Sequence, residues 1–183
     1  MKKKIFLIFF FLNLLNYSCI ASEIEIINNF KKINNISFDF KQNINDKTEE
    51  GNCIIQYPKK IYCNYNLSNE KILVSNGKSL VIKTKTGFYR YPLNKTPLNL
   101  ILDKNYLLNK IENLDGKIIE NKFISYNFIE NDNEISIFFN KQNYDLVGWQ
   151  TLDIYQNLSI TFLSSVSQNK DINEDLFILP KQN

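Results

Sequence analysis

Residues 71–83 read Lys-Ile-Leu-Val-Ser-Asn-Gly-Lys-Ser-Leu-Val-Ile-Lys. Two short runs rich in aliphatic, partly β-branched residues flank Asn76-Gly77, a dipeptide suited to the positive φ of a tight hairpin turn. The stretch predicts strands over residues 71–75 and 78–83. Toward the N-terminus, residues 51–57 and 60–65 flank Pro58-Lys59 and predict another hairpin. Before them, Ile36, Phe38 and Phe40 alternate with Ser37, Asp39 and Lys41, the period of a half-buried strand. Toward the C-terminus, further strands are expected at residues 88–91, 123–129, 134–139, 146–155 and 158–164, with a weak one at 117–120. Many short strands joined by local turns predict a mainly β fold, a curved antiparallel sheet forming an incomplete barrel.

Two segments change period. Ile26, Ile27, Phe30 and Ile33 recur at helical spacing, with Glu23 early and Lys31 and Lys32 late, so a helix is expected over residues 23–33. Pro92 breaks the strand pattern, and Thr96-Pro97 then leads into Leu98-Asn99-Leu100-Ile101-Leu102. Thr96 suits an N-cap and Pro97 the first helical position. Leu98, Ile101 and Leu102 share one face of this short apolar helix, and one or two further helical turns are expected at 106–111.

The N-terminus has a different composition. Lys2, Lys3 and Lys4 precede a near-continuous apolar run over residues 5–15, followed by Cys19-Ile20-Ala21. Charge, short apolar run and small residues two apart read as a secretory signal peptide, residues 1–21, cleaved after Ala21. The run is shorter than the roughly 20 residues of a membrane span. A lipoprotein signal ending at Cys19 is the other reading, but Asn16 and Tyr17 fit it badly. Residues 22–183 then form a single domain. The signal holds three of the 22 basic residues and none of the 19 acidic ones, which leaves 19 of each. That balance gives no reason to expect a nucleic-acid partner.

The sequence contains no histidine. This excludes His-based triads and dyads and His-ligated zinc. No carboxylate pair sits in a recognisable acid/base motif, and no serine sits in a G-x-S-x-G context. No catalytic residue, metal or cofactor is expected. Cys53 and Cys63 lack C-x-x-C spacing, so in an oxidising compartment a disulfide is the natural reading. A two-residue turn at Pro58-Lys59 would pair Cys53 with Asn64, however, and only a bulge would bring the two cysteines opposite.

Aromatic residues make up 14% of the chain. Phe40, Tyr65, Tyr89 and Trp149 lie on expected strands. Each alone reads as core. Together they offer more aromatic surface than a small closed barrel uses, so an incomplete barrel would enclose an apolar hollow. Leu98, Ile101 and Leu102 are then candidate lid residues over that hollow.

The order of elements resembles the LolA family of periplasmic lipoprotein carriers. Phe38-Asp39-Phe40-Lys41-Gln42 resembles the family's first-strand pattern, and Tyr57-Pro58-Lys59 its following hairpin. Residues 72–78 are similar to its strand, Asn/Asp-Gly turn and strand, and residues 91–98 to its entry into a lid helix. Val147-Gly148-Trp149-Gln150 and the ending Leu176-Phe177-Ile178-Leu179-Pro180 also fit. The resemblance implies an open β-barrel closed by helices, binding acyl chains of outer-membrane lipoproteins and working as a monomer in the periplasm. It implies an inner-membrane Lol ABC transporter as donor and a LolB-type acceptor at the outer membrane. Where many members carry an Arg that ties down the lid, this chain has Tyr57, which donates at most one hydrogen bond. A lipid- or lipoprotein-sensing module on the same scaffold is the alternative function.

Overall fold

The computed structural model describes residues 17–67, 69–153 and 155–182, with side chains described from Ser22 onward. The lysine cluster and apolar run of the expected signal lie outside the described residues. Helix α1 spans Tyr17–Lys32, so it starts before the expected cleavage point at Ala21. Its buried residues Ile26, Ile27 and Phe30 all follow that point.

Six strands follow in a meander: β1 (Asn35–Ile44), β2 (Lys47–Gln56), β3 (Lys60–Tyr65), β4 (Ile72–Asn76), β5 (Ser79–Lys83) and β6 (Phe88–Pro92). A 3₁₀ turn at Leu93–Lys95 leads into helices α2 (Leu98–Ile101) and α3 (Lys104–Glu112). Five more strands complete the sheet: β7 (Lys117–Ile119), β8 (Phe123–Glu130), β9 (Asn133–Asn140), β10 (Leu146–Leu152) and β11 (Leu158–Gln168). All 11 strands form one antiparallel sheet in the order β6-β5-β4-β3-β2-β1-β11-β10-β9-β8-β7. The last strand returns to pair with the first, which joins the two meanders at their centre. The outer strands β6 and β7 are not paired with each other, so the barrel is open.

Two turns differ from their sequence reading. The β2–β3 hairpin pairs Gln56 with Lys60, leaving three loop residues, with a cis Tyr57–Pro58 bond and Lys59 at positive φ. This register sets Cys53 directly opposite Cys63 without a bulge, and they form a disulfide with Cα atoms 4.1 Å apart. In the β4–β5 hairpin, Ser75 pairs with Leu80, and only Gly77 of the Asn-Gly pair has positive φ. Asn76 acts through its side chain, whose Oδ1 accepts from the backbone N–H groups of Lys78 and Ser79. An Asx-type turn therefore replaces the type I′ turn.

The main core lies between the concave face of the sheet and the helices. Phe30 of α1 meets Phe139 of β9 edge to face at 6.0 Å, and Tyr126 of β8 meets Phe139 at the same distance. Leu107 and Ile111 of α3 are buried in the same cluster. Lys104 of α3 donates to the carbonyl oxygens of Lys31 and Ile33, which otherwise lack helical partners at the end of α1. On the convex face, the C-terminal 3₁₀ turn Glu174–Phe177 contacts β3 and β4, with Phe177 buried.

Candidate functional site

The inward residues of β1 are Ile36, Phe38, Phe40, Gln42 and Ile44. The first three serve the core, and from Phe40 onward the strand enters a hollow of about 480 Å³. Sites for drug-sized ligands typically occupy about 300–1,000 Å³. Its apolar walls include Phe40, Ile61, Leu73, Leu80, Leu98 and Trp149. Leu80 comes from β5 and Trp149 from β10, six strands apart in the sheet order, so the sheet curls around this space.

Phe40 and Tyr65 meet at 4.9 Å between ring centroids. Gly51 is paired with both residues across the strands. A Cβ on Gly51 would lie 2.8 Å from the Phe40 ring and 2.1 Å from the Asn64 carbonyl oxygen. Glycine at this position therefore lets the two rings come together. Trp149 sits edge to face with Phe38 at 6.1 Å, which anchors it at the boundary between core and hollow. The disulfide of Cys53 and Cys63 forms part of the wall.

The hollow has a polar side. Gln42 Nε2 donates to Ser159 Oγ at 2.9 Å and to Thr161 Oγ1 at 3.2 Å. Lys71 and Glu49 form an ion pair of 2.6 Å at its edge, and the Lys71 ammonium lies 4.0 Å from the Tyr65 ring centre. Burial and the nearby Glu49 carboxylate push the Tyr65 phenol above its ordinary range. Tyr155 lies at the rim.

Phe40, Tyr65, Leu98 and Trp149 come together around the hollow. Tyr89, Ile101 and Leu102 do not line it. Tyr89 stands half exposed on the edge strand β6, while Ile101 and Leu102 are fully buried in the core. Of the helical segment, Thr96, Pro97 and Leu98 face the hollow. The Thr96 hydroxyl bonds back to the Leu93 carbonyl at 2.8 Å rather than capping forward, although Pro97 already has helical angles.

Tyr57 contacts the helices by its ring. It packs edge to face on Phe30 at 5.7 Å and lies below the Lys104 ammonium at 6.0 Å. Its buried hydroxyl has no hydrogen-bond partner among the described residues, and burial raises its pKa. The helical cover is tied instead by Lys59. Its backbone N–H donates to the Leu102 carbonyl at 2.9 Å, and its ammonium pairs with Asp103 at 3.2 Å. Sequence reading missed Lys59, which no motif marks. It also missed Leu73 and Leu80 as wall residues, although their inward strand positions were readable. Gln42, a polar residue at an inward step of an apolar strand, was the available signal for the polar side.

Among the described residues, no cluster of three or more His, Cys, Asp or Glu could hold a metal. No described helix is long and apolar enough to cross a membrane.

A LolA superfamily protein of Nitrosomonas europaea is similar in structure, with a TM-score of 0.43 at 9% identity over 84% of this chain and 96% of that one. An uncharacterised conserved protein of Thermus thermophilus gives 0.51 at 6% identity over 88% and 94%. The MucA/MucB complex of Pseudomonas aeruginosa gives 0.49 at 8% identity over 87% and 60%. At such identity the Thermus likeness shows a shared fold alone. No curated protein matches the sequence. The model of the outer membrane lipoprotein carrier protein LolA matches residues 31–179, and with that span, most of the sequence, this chain belongs to the LolA family.

Proposed function

We propose that residues 22–183 form an exported periplasmic carrier that holds an acyl chain of a lipoprotein in the hollow. The observation that carries this reading is the hollow itself, an apolar, partly covered space of about 480 Å³ in a LolA-family chain. Each buried CH₂ contributes about 0.8 kcal/mol, so a long acyl chain gains on the order of 10 kcal/mol before the ordering of ligand and protein is subtracted. The required step is transfer of a ligand between two apolar environments, which makes and breaks no covalent bond. A donor of the inner-membrane Lol ABC transporter type and an acceptor of the LolB type complete the proposed route.

The test is solubilisation. The exported protein should keep a diacylated lipoprotein in solution after membranes are removed, and should release it to acceptor vesicles. Replacing Leu73 by Glu would place an unpaired charge in the apolar wall and should abolish retention while the β-sheet circular-dichroism signal persists. A wild-type protein that binds no acylated ligand would refute the carrier reading. Binding without release to acceptor vesicles would favour the sensing module instead.

A further inference from the structure

Three adjacent strands place polar side chains side by side on the wall of the hollow, two of them with hydroxyl groups. Thr151 of β10 is paired with Ser159 of β11, and Thr161 of β11 is paired with Gln42 of β1. All four residues line the hollow. Ser159, Thr161 and Thr151 are 2%, 3% and 7% exposed.

The hydrogen-bond arrangement leaves donors over. The Ser159 and Thr161 oxygens each accept from the Gln42 amide, so their own O–H groups remain to donate elsewhere. The neighbouring Thr151 hydroxyl is closed to water and has no partner among the described residues, so it does not face the hollow. A buried hydroxyl left unpaired is costly. At Thr161 valine would give a hydrocarbon wall of the same shape without the hydroxyl.

We infer that this strip is a subsite for the carbonyl oxygen of an ester or amide, so that the linkage of the acyl group enters the hollow with its tail. The inference rests on the carrier reading and deepens it. The hydrocarbon lies against Phe40, Leu73, Leu80 and Leu98, and the carbonyl accepts from the hydroxyls of Ser159 and Thr161. A carbonyl has two lone pairs and no proton, which complements surplus donors.

Three probes of equal chain length test this on the exported protein: the palmitoyl ester of glycerol, the hexadecyl ether of glycerol, and N-palmitoyl glycinamide. The ester or the amide, or both, should bind about tenfold tighter than the ether, as expected for one or two hydrogen bonds. The tighter of the two names the carbonyl source. In Thr161→Val and in the double variant Ser159→Ala with Thr161→Val, the preference over the ether should fall to about twofold or less. Equal affinity of the wild-type protein for all three probes overturns the subsite and leaves the carrier reading standing. An undiminished preference in a folded double variant overturns it too. No binding of any probe overturns the carrier reading and the subsite with it.

Discussion

The concave face of one sheet carries two halves with opposite contents. Under α1 and α3, Phe30, Leu107, Ile111, Tyr126 and Phe139 are buried in one cluster. Beside them, Phe40, Leu73, Leu80 and Trp149 face the hollow, with only Thr96, Pro97 and Leu98 of the helical segment above. The strands alternate inward and outward in the same way in both halves. The difference lies in the cover. The 16-residue α1 and nine-residue α3 bring several large side chains down onto the sheet, whereas the four-residue α2 brings Leu98. An apolar sheet face becomes core or site according to how much side chain the covering helix supplies.

Truncation on each side gives the widest contrast. Phe139→Ala should cost about 3–5 kcal/mol of unfolding free energy, measured by denaturant titration, because the cavity it leaves is sealed on all sides. Leu73→Ala should cost roughly 1–2 kcal/mol, since its side chain already borders open space and loses fewer contacts. Equal losses would erase the distinction between the halves.

The disulfide belongs to the hollow half and staples a short loop. Replacing Cys53 and Cys63 together by Ser should cost roughly 2–3 kcal/mol, as loop-closure entropy gives for so short a segment. Thermal unfolding of the double variant beside the parent checks this. A fall in acyl-probe affinity larger than the fall in stability would show that the bridge shapes the wall as well.

The tie between the halves is weaker. Asp103 pairs with Lys59 and its side chain accepts from the Tyr106 backbone N–H at 3.1 Å, capping α3. Asp103→Ala should cost about 1 kcal/mol through the lost cap. Lys59→Ala should cost about 0.5 kcal/mol, since the pair is partly solvated and the backbone bond to Leu102 survives. A larger loss for Lys59→Ala than for Asp103→Ala would reverse the assignment.

The smallest effect is on pH. In the filled half, hydrogen bonds from Tyr106 and then Lys110 hold the Glu130 carboxyl below its ordinary range. A depressed carboxylate pKa adds stability above the unfolded-state value, which is lost as pH falls through the folded-state value. The pH dependence of stability between neutral and strongly acidic conditions should therefore be slightly shallower in Glu130→Gln. An identical slope would remove Glu130 from the list of contributors.

The strands were legible because alternation and turn residues are local signals. Ile36, Phe38 and Phe40 announced an inward face without reference to any partner strand. The hairpin register was less legible, because the shift from two to three loop residues at Tyr57-Pro58-Lys59 depends on backbone angles that the residue types permit but do not dictate. Division of the apolar residues between core and hollow was not readable at all. Ile101 and Leu102 are as apolar as Leu98 and follow it closely, yet they point into the filled half. Their fate is decided by where α2 docks, and one bond that holds the end of α2 comes from the Lys59 backbone, some 40 residues earlier in the chain.

Trp149 is the sole tryptophan of the sequence and lines the hollow. Its fluorescence therefore reports on this space directly. Titration of the exported protein with an acylated peptide brominated along the chain should quench that emission saturably, with the non-brominated peptide competing. Binding of the brominated peptide with unchanged Trp149 emission would place the acyl chain elsewhere and contradict the assignment of the hollow as the ligand site.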